Sequence, residues 1–153
     1  MPVPAAVPAI YRSAKAAARI ALVAESYERL LGAPLVAPSP DIVAALWAAP
    51  AAVVAHGTEA DPVFFFGNRR ALELFEYDVA QFTRIPSRLS AEAPLREERQ
   101  ALLDRVSAQG FIRDYAGVRI AASGRRFRID DAVVWNLVDA DGVRHGQAAT
   151  FVV

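Results

Sequence analysis

The sequence predicts an α+β fold in which helices come first, followed by two β-strands, a group of helices and three further β-strands. Three observations support this order. Within residues 51–66, a short apolar run meets a polar turn and resumes as three phenylalanines, which is typical of a β-hairpin. Residues 94–109 repeat apolar positions at helical spacing. Residues 111–153 contain three long β-prone runs joined by two hairpin turns.

The N-terminal residues are predicted to form two helices. Ser13 is placed to cap a helix whose apolar positions recur at steps of three and four, and Gly32 ends it. Ser39, with Pro40 at the first helical position, starts a shorter helix that must stop before Pro50. The apolar faces of these helices have to be buried against an apolar surface elsewhere in the fold.

The stretch over residues 51–78 changes from strand spacing to helix spacing within a few positions. Asp61 closes the hairpin turn, Gly67 ends the second strand, and Asn68 is placed to cap the helix that follows. A later helix over residues 94–109 ends at Gly110. Its apolar stripe comprises Leu95, Leu102, Leu103 and Val106.

The predicted C-terminal strands cover residues 111–122, 126–138 and 146–153. Alternation places Tyr115 and Arg119 on one face of the first of them, but a one-residue slip would exchange its faces. Asp130 and Asp131 predict a bulge in the second strand, after which Val133, Trp135 and Leu137 share a face opposite Ala132, Val134 and Asn136.

Composition limits the classes of function. The chain has 153 residues, 54% of them hydrophobic, which favours one domain made of an N-terminal helical cap (residues 1–50) and a core (residues 51–153). Seventeen basic residues balance seventeen acidic ones, so we expect no direct nucleic-acid partner and no membrane partner. The absence of cysteine removes disulfides, thiolate metal sites and cysteine nucleophiles. No apolar run is long enough to span a membrane, and we expect a cytoplasmic protein.

Four segments resemble a known family: HGTEADPVFFFGNRRALELFE, IPSRLSAE, GFIRDYAGVRIAASGRRF and VVWNL. Together they are similar to the MEKHLA domain, a PAS-like family found at the C-terminus of plant homeodomain leucine-zipper proteins of the third class and alone in bacteria and algae. The resemblance extends from about Arg19 to Val153. It implies one five-stranded antiparallel sheet with mid-chain helices enclosing a ligand cavity on one face. The N-terminal helices would cover the other face or form a dimer contact.

The resemblance also indicates candidate ligand-binding residues. In flavin-binding PAS relatives, polar amide side chains on the C-terminal strands contact the ring, and Arg119, Asn136 and Gln147 occupy comparable positions here. The complete predicted set is Tyr115, Arg119, Asn136, Gln147, Phe64 and Phe66. Because Arg119 replaces an expected amide and cysteine is absent, flavin is not supported. Haem is not supported either, because the crossover helix has no histidine. The cofactor stays unknown.

An arginine that faces such a cavity requires an anionic partner. Asp130 or Asp131 would make Arg119 a member of a structural ion pair, whereas a ligand carboxylate would make it a binding residue. Both alternatives stay open at the level of the sequence.

The resulting hypothesis is a sensory or regulatory domain that binds a small organic ligand, signals through homodimer contacts and has no catalytic activity. One alternative is a cone-shaped enzyme of the ketosteroid-isomerase type, with Asp130 or Asp131 as base and Tyr115 as oxyanion donor. Another is a ligand-free dimerisation scaffold whose cavity is filled by Phe64, Phe66 and Trp47. At the first turn, His56, Glu59 and Asp61 could bind a divalent metal, but a fourth ligand is missing, so a polar turn is the simpler interpretation.

Overall fold

A computed structural model describes residues 2–91 and 93–153, with side chains at all of these positions except 93–96, 99 and 103. Its helices are α1 (Ala14–Leu31), α2 (Ile42–Ala48), α3 (Arg69–Phe75), α4 (Val79–Phe82) and α5 (Ala93–Gln109). Its strands are β1 (Ala52–His56), β2 (Phe64–Gly67), β3 (Phe111–Ile120), β4 (Arg126–Val138) and β5 (Arg144–Val152). All neighbouring strands pair antiparallel, in the order β2-β1-β5-β4-β3. The predicted α+β class and five-stranded sheet are confirmed.

Helix α1 covers one face of the sheet, which we call the outer face. Ile20 and Val23 are fully buried there. The indole of Trp135 on β4 donates to the carbonyl oxygen of Val23 at 3.1 Å, and the Ser26 hydroxyl accepts from the N–H of Val138 at 2.9 Å. The apolar stripe of α1 is therefore used within the chain. The N-terminal helices were expected either to cover this face of the sheet or to form a dimer contact. Helix α1 covers the face, so a dimer contact would have to use another surface.

The start of α2 differs from the sequence prediction. Asp41, not Ser39, is the N-cap, and its carboxylate accepts from the N–H of Ala44 at 3.2 Å. The Ser39 hydroxyl accepts instead from the N–H of Asp41 at 3.1 Å. Pro40 consequently precedes the helix. The predicted caps of α1 and α3 are present, because Ser13 accepts from Ala16 at 3.2 Å and Asn68 caps α3.

Asn68 also joins three parts of the chain. Its side-chain oxygen accepts from the N–H groups of Val53 and Ala71, both at 3.0 Å. Its amide nitrogen donates to the carbonyl oxygens of Leu46 at 3.0 Å and Ala51 at 2.9 Å. The residue is completely buried, so these bonds fix the end of α2, strand β1 and the start of α3 with no help from water.

Tyr11 protects the outer edge of β2. Its hydroxyl donates to the carbonyl oxygen of Gly67 at 3.0 Å and accepts from the N–H of the same residue at 3.1 Å. Burial raises the pKa of Tyr11 far above its usual value. Unpaired edge groups would otherwise be available to another chain. Gly67 pairs with Val54 and is the last residue of β2, so the strand ends where the sequence predicted.

Irregular pairing decides which side chains of β2 face which side of the sheet. Ala55 pairs with Phe66 and His56 with Phe64, so Phe65 is the extra residue of a bulge. Phe64 consequently stacks on Phe82 of α4 at 4.3 Å between ring centroids, while Phe66 packs against Tyr11 at 5.0 Å. Phe64 and Phe66 therefore point to opposite faces of the sheet.

Helices α3, α4 and α5 cover the second face, which we call the inner face. Val106 of α5 is buried in a cluster with Ile112 and Val134, and Leu102 packs against the same cluster. These contacts agree with the predicted apolar stripe of α5. The other two predicted members of that stripe, Leu95 and Leu103, lie outside the described side chains.

Candidate ligand cavity

A cavity of about 50 Å³ lies between the inner face of the sheet and the helices. Its apolar lining includes Phe64, Phe75, Leu102, Ile129, Val134 and Phe151. Its polar lining consists of His56, Ser90, Tyr115, Arg119 and Gln147. Four of the six predicted ligand-binding residues therefore line one cavity.

Arg119 and Tyr115 form the polar centre of this cavity. Arg119 is 8% exposed, its Nη2 donates to the Tyr115 hydroxyl at 2.5 Å, and its guanidinium carbon lies 5.3 Å from the centroid of the Tyr115 ring. A second, longer contact of 3.4 Å joins Nη1 to the carbonyl oxygen of Val118. Among the described side chains, no carboxylate lies within ion-pair distance of Arg119. A buried guanidinium held by neutral groups alone is electrostatically costly.

The two aspartates proposed from the sequence as partners of Arg119 do not reach it. Asp130 pairs with Arg128 at 3.0 Å, and both side chains are more than half exposed. Asp131 is also exposed and has a positive φ of 53° within the predicted bulge of β4. Neither carboxylate meets Tyr115 in the cavity. The geometry of a general base beside an oxyanion donor, which the ketosteroid-isomerase alternative requires, is therefore not formed by these residues.

Asn136 and Gln147 connect the cavity to α5. Gln147 donates through Nε2 to Oδ1 of Asn136 at 3.0 Å and to the Ser107 hydroxyl at 3.3 Å. Asn136 in turn donates to the carbonyl oxygen of Val106 at 3.0 Å. Gln147 lines the cavity, whereas Asn136 is connected to it only by its hydrogen bond to Gln147. Both amides are buried, so this network links two strands to the last turns of the helix.

Two aromatic residues lie elsewhere than the sequence hypotheses placed them. Phe66 and Trp47 belong to an aromatic group around Tyr11 on the outer side of the sheet. Phe66 was predicted to be a ligand-binding residue, but the bulge at Phe65 turns it to the face opposite that of Phe64. Of the three residues suggested to fill the cavity, only Phe64 reaches it.

His56 is a cavity residue that sequence reasoning assigned to the first turn instead. It is 6% exposed and pairs across the sheet with Gln147, so both side chains share the inner face. Its Nδ1 lies 2.9 Å from a neighbouring backbone carbonyl oxygen. Glu59 accepts a backbone hydrogen bond within the turn, and Asp61 pairs with Arg88 at 3.0 Å. Over the described residues, no group of three or more His, Cys, Asp or Glu is placed to hold a metal ion.

The cavity does not fit a flavin. Pockets for cofactors and drug-sized ligands occupy roughly 300 to 1,000 Å³, several times the volume found here. Phe75 and Phe151 pack edge to face with 6.3 Å between their centroids and take up part of the space. A flavin would therefore require displacement of the packed core.

The five-stranded antiparallel sheet with helices over a cavity on its inner face defines a PAS-like fold. The structure is similar to the PAS domain of a protein from Colwellia psychrerythraea, with a TM-score of 0.62, 14% identity, and coverage of 71% of this chain and 89% of that one. It is also similar to a light-oxygen-voltage domain studied with a flavin analogue, with a TM-score of 0.57, 16% identity, and coverage of 72% and 82%. At these identities the likeness concerns the fold.

Residues 17–153 match the MEKHLA domain, and the chain belongs to the MEKHLA domain family. The resemblance found in the sequence is confirmed. Homeobox-leucine zipper protein HOX29 of Oryza sativa subsp. indica is 26% identical over 126 residues, which are 78% of this chain and 15% of the rice protein. Homeobox-leucine zipper protein ATHB-14 of Arabidopsis thaliana is 28% identical over 95 residues, which are 62% of this chain and 11% of that protein. The chain thus spans a small fraction of these relatives. None of the described helices is both long and apolar enough to cross a membrane.

Proposed function

We propose that this PAS-like domain binds a small anionic organic ligand in its cavity and acts as a sensory or regulatory module. The observation that carries the proposal is Arg119. It is buried, it lines an otherwise mainly apolar cavity, and no described carboxylate compensates its charge. A ligand carboxylate would supply that compensation and match the two-pronged geometry of the guanidinium.

The buried network around the cavity offers a route from ligand to surface. Gln147 lies at the cavity wall and contacts both Asn136 and the last turns of α5. A ligand that shifts Gln147 would also change the hydrogen bonds that hold the last turns of α5 against the sheet. The solvent-facing side of α5 is available to a regulatory partner or a second copy. No catalytic step is proposed, because the hydroxyl of Tyr115 has Arg119 beside it rather than a base.

The proposal is tested by measuring thermal unfolding of the chain with a panel of small carboxylates. A ligand at about a hundred times its dissociation constant stabilises by about 2.7 kcal/mol, which corresponds to a rise in Tm of about 5 to 10 °C for a domain of this size. Arg119→Met should abolish the rise without lowering the Tm of the free protein, because it removes an uncompensated buried charge while keeping the volume.

Arg128→Met is the matched control, because Arg128 is on a strand of the same sheet but its side chain is 63% exposed. This variant should keep the full ligand response. If no carboxylate stabilises the parent chain and Arg119→Met merely lowers its Tm, Arg119 is a structural residue and the proposal is wrong.

A ligand-free scaffold is the second candidate, and the small cavity volume favours it. Native mass spectrometry of protein purified from its own host separates the two. A retained small molecule supports the binding domain. A chain with no retained molecule, no response to the carboxylate panel and a dimeric mass supports the scaffold.

A further inference from the structure

We infer that the cavity accepts a compact planar oxyanion with the size of a short-chain monocarboxylate, and that the hydroxyl of Tyr115 is a second donor to it. This inference rests on the proposed function and narrows it to a size class and a donor set. Three features of the inner face support it: the direction of the Arg119–Tyr115 hydrogen bond, the absence of a side chain at Gly117, and the cavity volume.

The direction of the hydrogen bond leaves a donor available. A guanidinium has no acceptor, so Arg119 donates and the oxygen of Tyr115 accepts. The proton of the Tyr115 hydroxyl is thus left to donate elsewhere, and no acceptor for it is found among the described residues. Both side chains line the cavity. An oxyanion there would receive hydrogen bonds from the guanidinium and from the tyrosine, in the way that charge-assisted sites are built.

Gly117 makes this arrangement sterically allowed. Tyr115, Gly117 and Arg119 share the inner face, because they pair with Ala132, Ile129 and Phe127 of β4. A Cβ at position 117 would lie 2.8 Å from the Tyr115 hydroxyl oxygen and 3.9 Å from Nη1 of Arg119. A side chain at position 117 would therefore displace the Tyr115 hydroxyl from its place beside the arginine.

The volume sets the size of the ligand. The cavity of about 50 Å³ is several times smaller than the roughly 300 to 1,000 Å³ of pockets for drug-sized ligands, which favours a ligand of only a few non-hydrogen atoms. Formate, acetate and propionate are within that range. The wall away from Arg119 is apolar and includes Ile129, Val134 and Phe151, which suits a short aliphatic body.

The experiment titrates the full chain with formate, acetate, propionate, hexanoate, benzoate and neutral acetamide at constant ionic strength. Binding is followed by the backbone amide NMR signals of residues 115–119. We expect acetate and propionate to bind, hexanoate and benzoate to bind at least tenfold more weakly, and acetamide not to bind. Tyr115→Phe should weaken acetate binding about tenfold, as expected for one hydrogen bond to a charged group.

Gly117→Ala should weaken acetate binding at least as much as Tyr115→Phe, and Arg128→Met should leave it unchanged. Denaturant midpoints of all variants show whether the fold is kept. Unchanged acetate affinity in a folded Tyr115→Phe would overturn the second donor. Preferential, Arg119-dependent binding of hexanoate or benzoate would overturn the size class and leave the proposed function standing. If no anion binds the parent chain, the proposed function fails and this inference fails with it.

Discussion

Replacing Asn68 with aspartate separates helix capping from the other contacts of this side chain. Asparagine and aspartate are equally good N-caps, so the bonds to the N–H groups of Val53 and Ala71 would be kept. The amide nitrogen, however, donates to the carbonyl oxygens of Leu46 and Ala51, and a carboxylate oxygen cannot. If Asn68 were only a cap, Asn68→Asp would be neutral. Its complete burial predicts a large loss of stability instead.

The magnitude follows from the two carbonyl oxygens that lose the amide as a donor. The oxygen of Leu46 keeps a bond of 3.3 Å from the N–H of Ala49, whereas no other donor to the oxygen of Ala51 is found among the described residues. A buried acceptor that loses its partner costs roughly 1 to 3 kcal/mol, and a buried carboxylate that faces both carbonyl oxygens costs at least as much, so we expect a loss of about 4 kcal/mol in the free energy of unfolding. Typical domains are stable by roughly 5 to 15 kcal/mol, so the variant should remain folded but be close to its limit. Asn68→Ala should cost more, because the acceptor side of the amide is also lost.

Urea unfolding measures this change, followed by the fluorescence of the two buried tryptophans, Trp47 and Trp135. The slope of free energy against urea concentration should stay constant while the midpoint falls. Asp78→Asn is the matched control, because Asp78 is an exposed cap of α4 whose side-chain oxygen accepts from the N–H of Gln81 at 2.8 Å. It should change stability by less than about 0.5 kcal/mol. A loss below about 1 kcal/mol in Asn68→Asp would refute the argument.

Three other predictions concern the rest of the chain. The hydroxyl and the N–H of Ser123, together with Arg125, hold the pKa of Glu76 below its ordinary value. A carboxylate with a lowered pKa in the folded state loses its contribution to stability when it is protonated. Stability should therefore fall as the pH drops below about 4.3, the ordinary pKa of glutamate. Acid titration of Tm should show a smaller fall in Glu76→Gln than in the exposed control Glu97→Gln, and equal falls would contradict it. A truncation beginning at Ser39 should unfold or aggregate, because it exposes the outer face of the sheet; a soluble monomer with parental stability by light scattering and circular dichroism would show otherwise. A chelator should leave Tm unchanged, and a decrease reversed by zinc would mean that the first turn binds metal.

Local chemistry explains why the order of elements could be predicted from the sequence. Ser13 and Asn68 are cap residues that precede helical periodicity, and Gly110 follows it with a φ of 95°. The error at Ser39 has an equally local cause. Both Ser39 and Asp41 are strong cap formers, and the backbone conformation after Pro40 decides between them.

The faces of the strands depend on pairing that the sequence does not show. Simple alternation groups Phe64 with Phe66, but β2 contains an extra residue opposite β1, so the second aromatic turns to the outer face. Tyr115 and Arg119 share a face as simple alternation predicts, because the extra residue opposite positions 115–117 lies on β4 and not on β3. The contact between these two residues was not predicted. The contact is helped by Gly117, because a side chain there would crowd the Tyr115 hydroxyl. The sequence shows that position 117 is a glycine, but it does not show that the tyrosine ring lies over it.

The bulge in β4 explains why neither Asp130 nor Asp131 compensates the charge of Arg119. Phe127 and Ile129 lie on the inner face, and uninterrupted alternation would place Asp131 on the same face, next to the strand that carries Arg119. The register shift between Asp130 and Val133 turns Asp131 outward and brings Ala132, Val134 and Asn136 to the inner face. The sequence could predict this bulge, but not its effect on a residue of the neighbouring strand. One irregularity thus keeps a carboxylate away from Arg119 and places an amide beside Gln147, which leaves the charge of Arg119 for the proposed anion to meet.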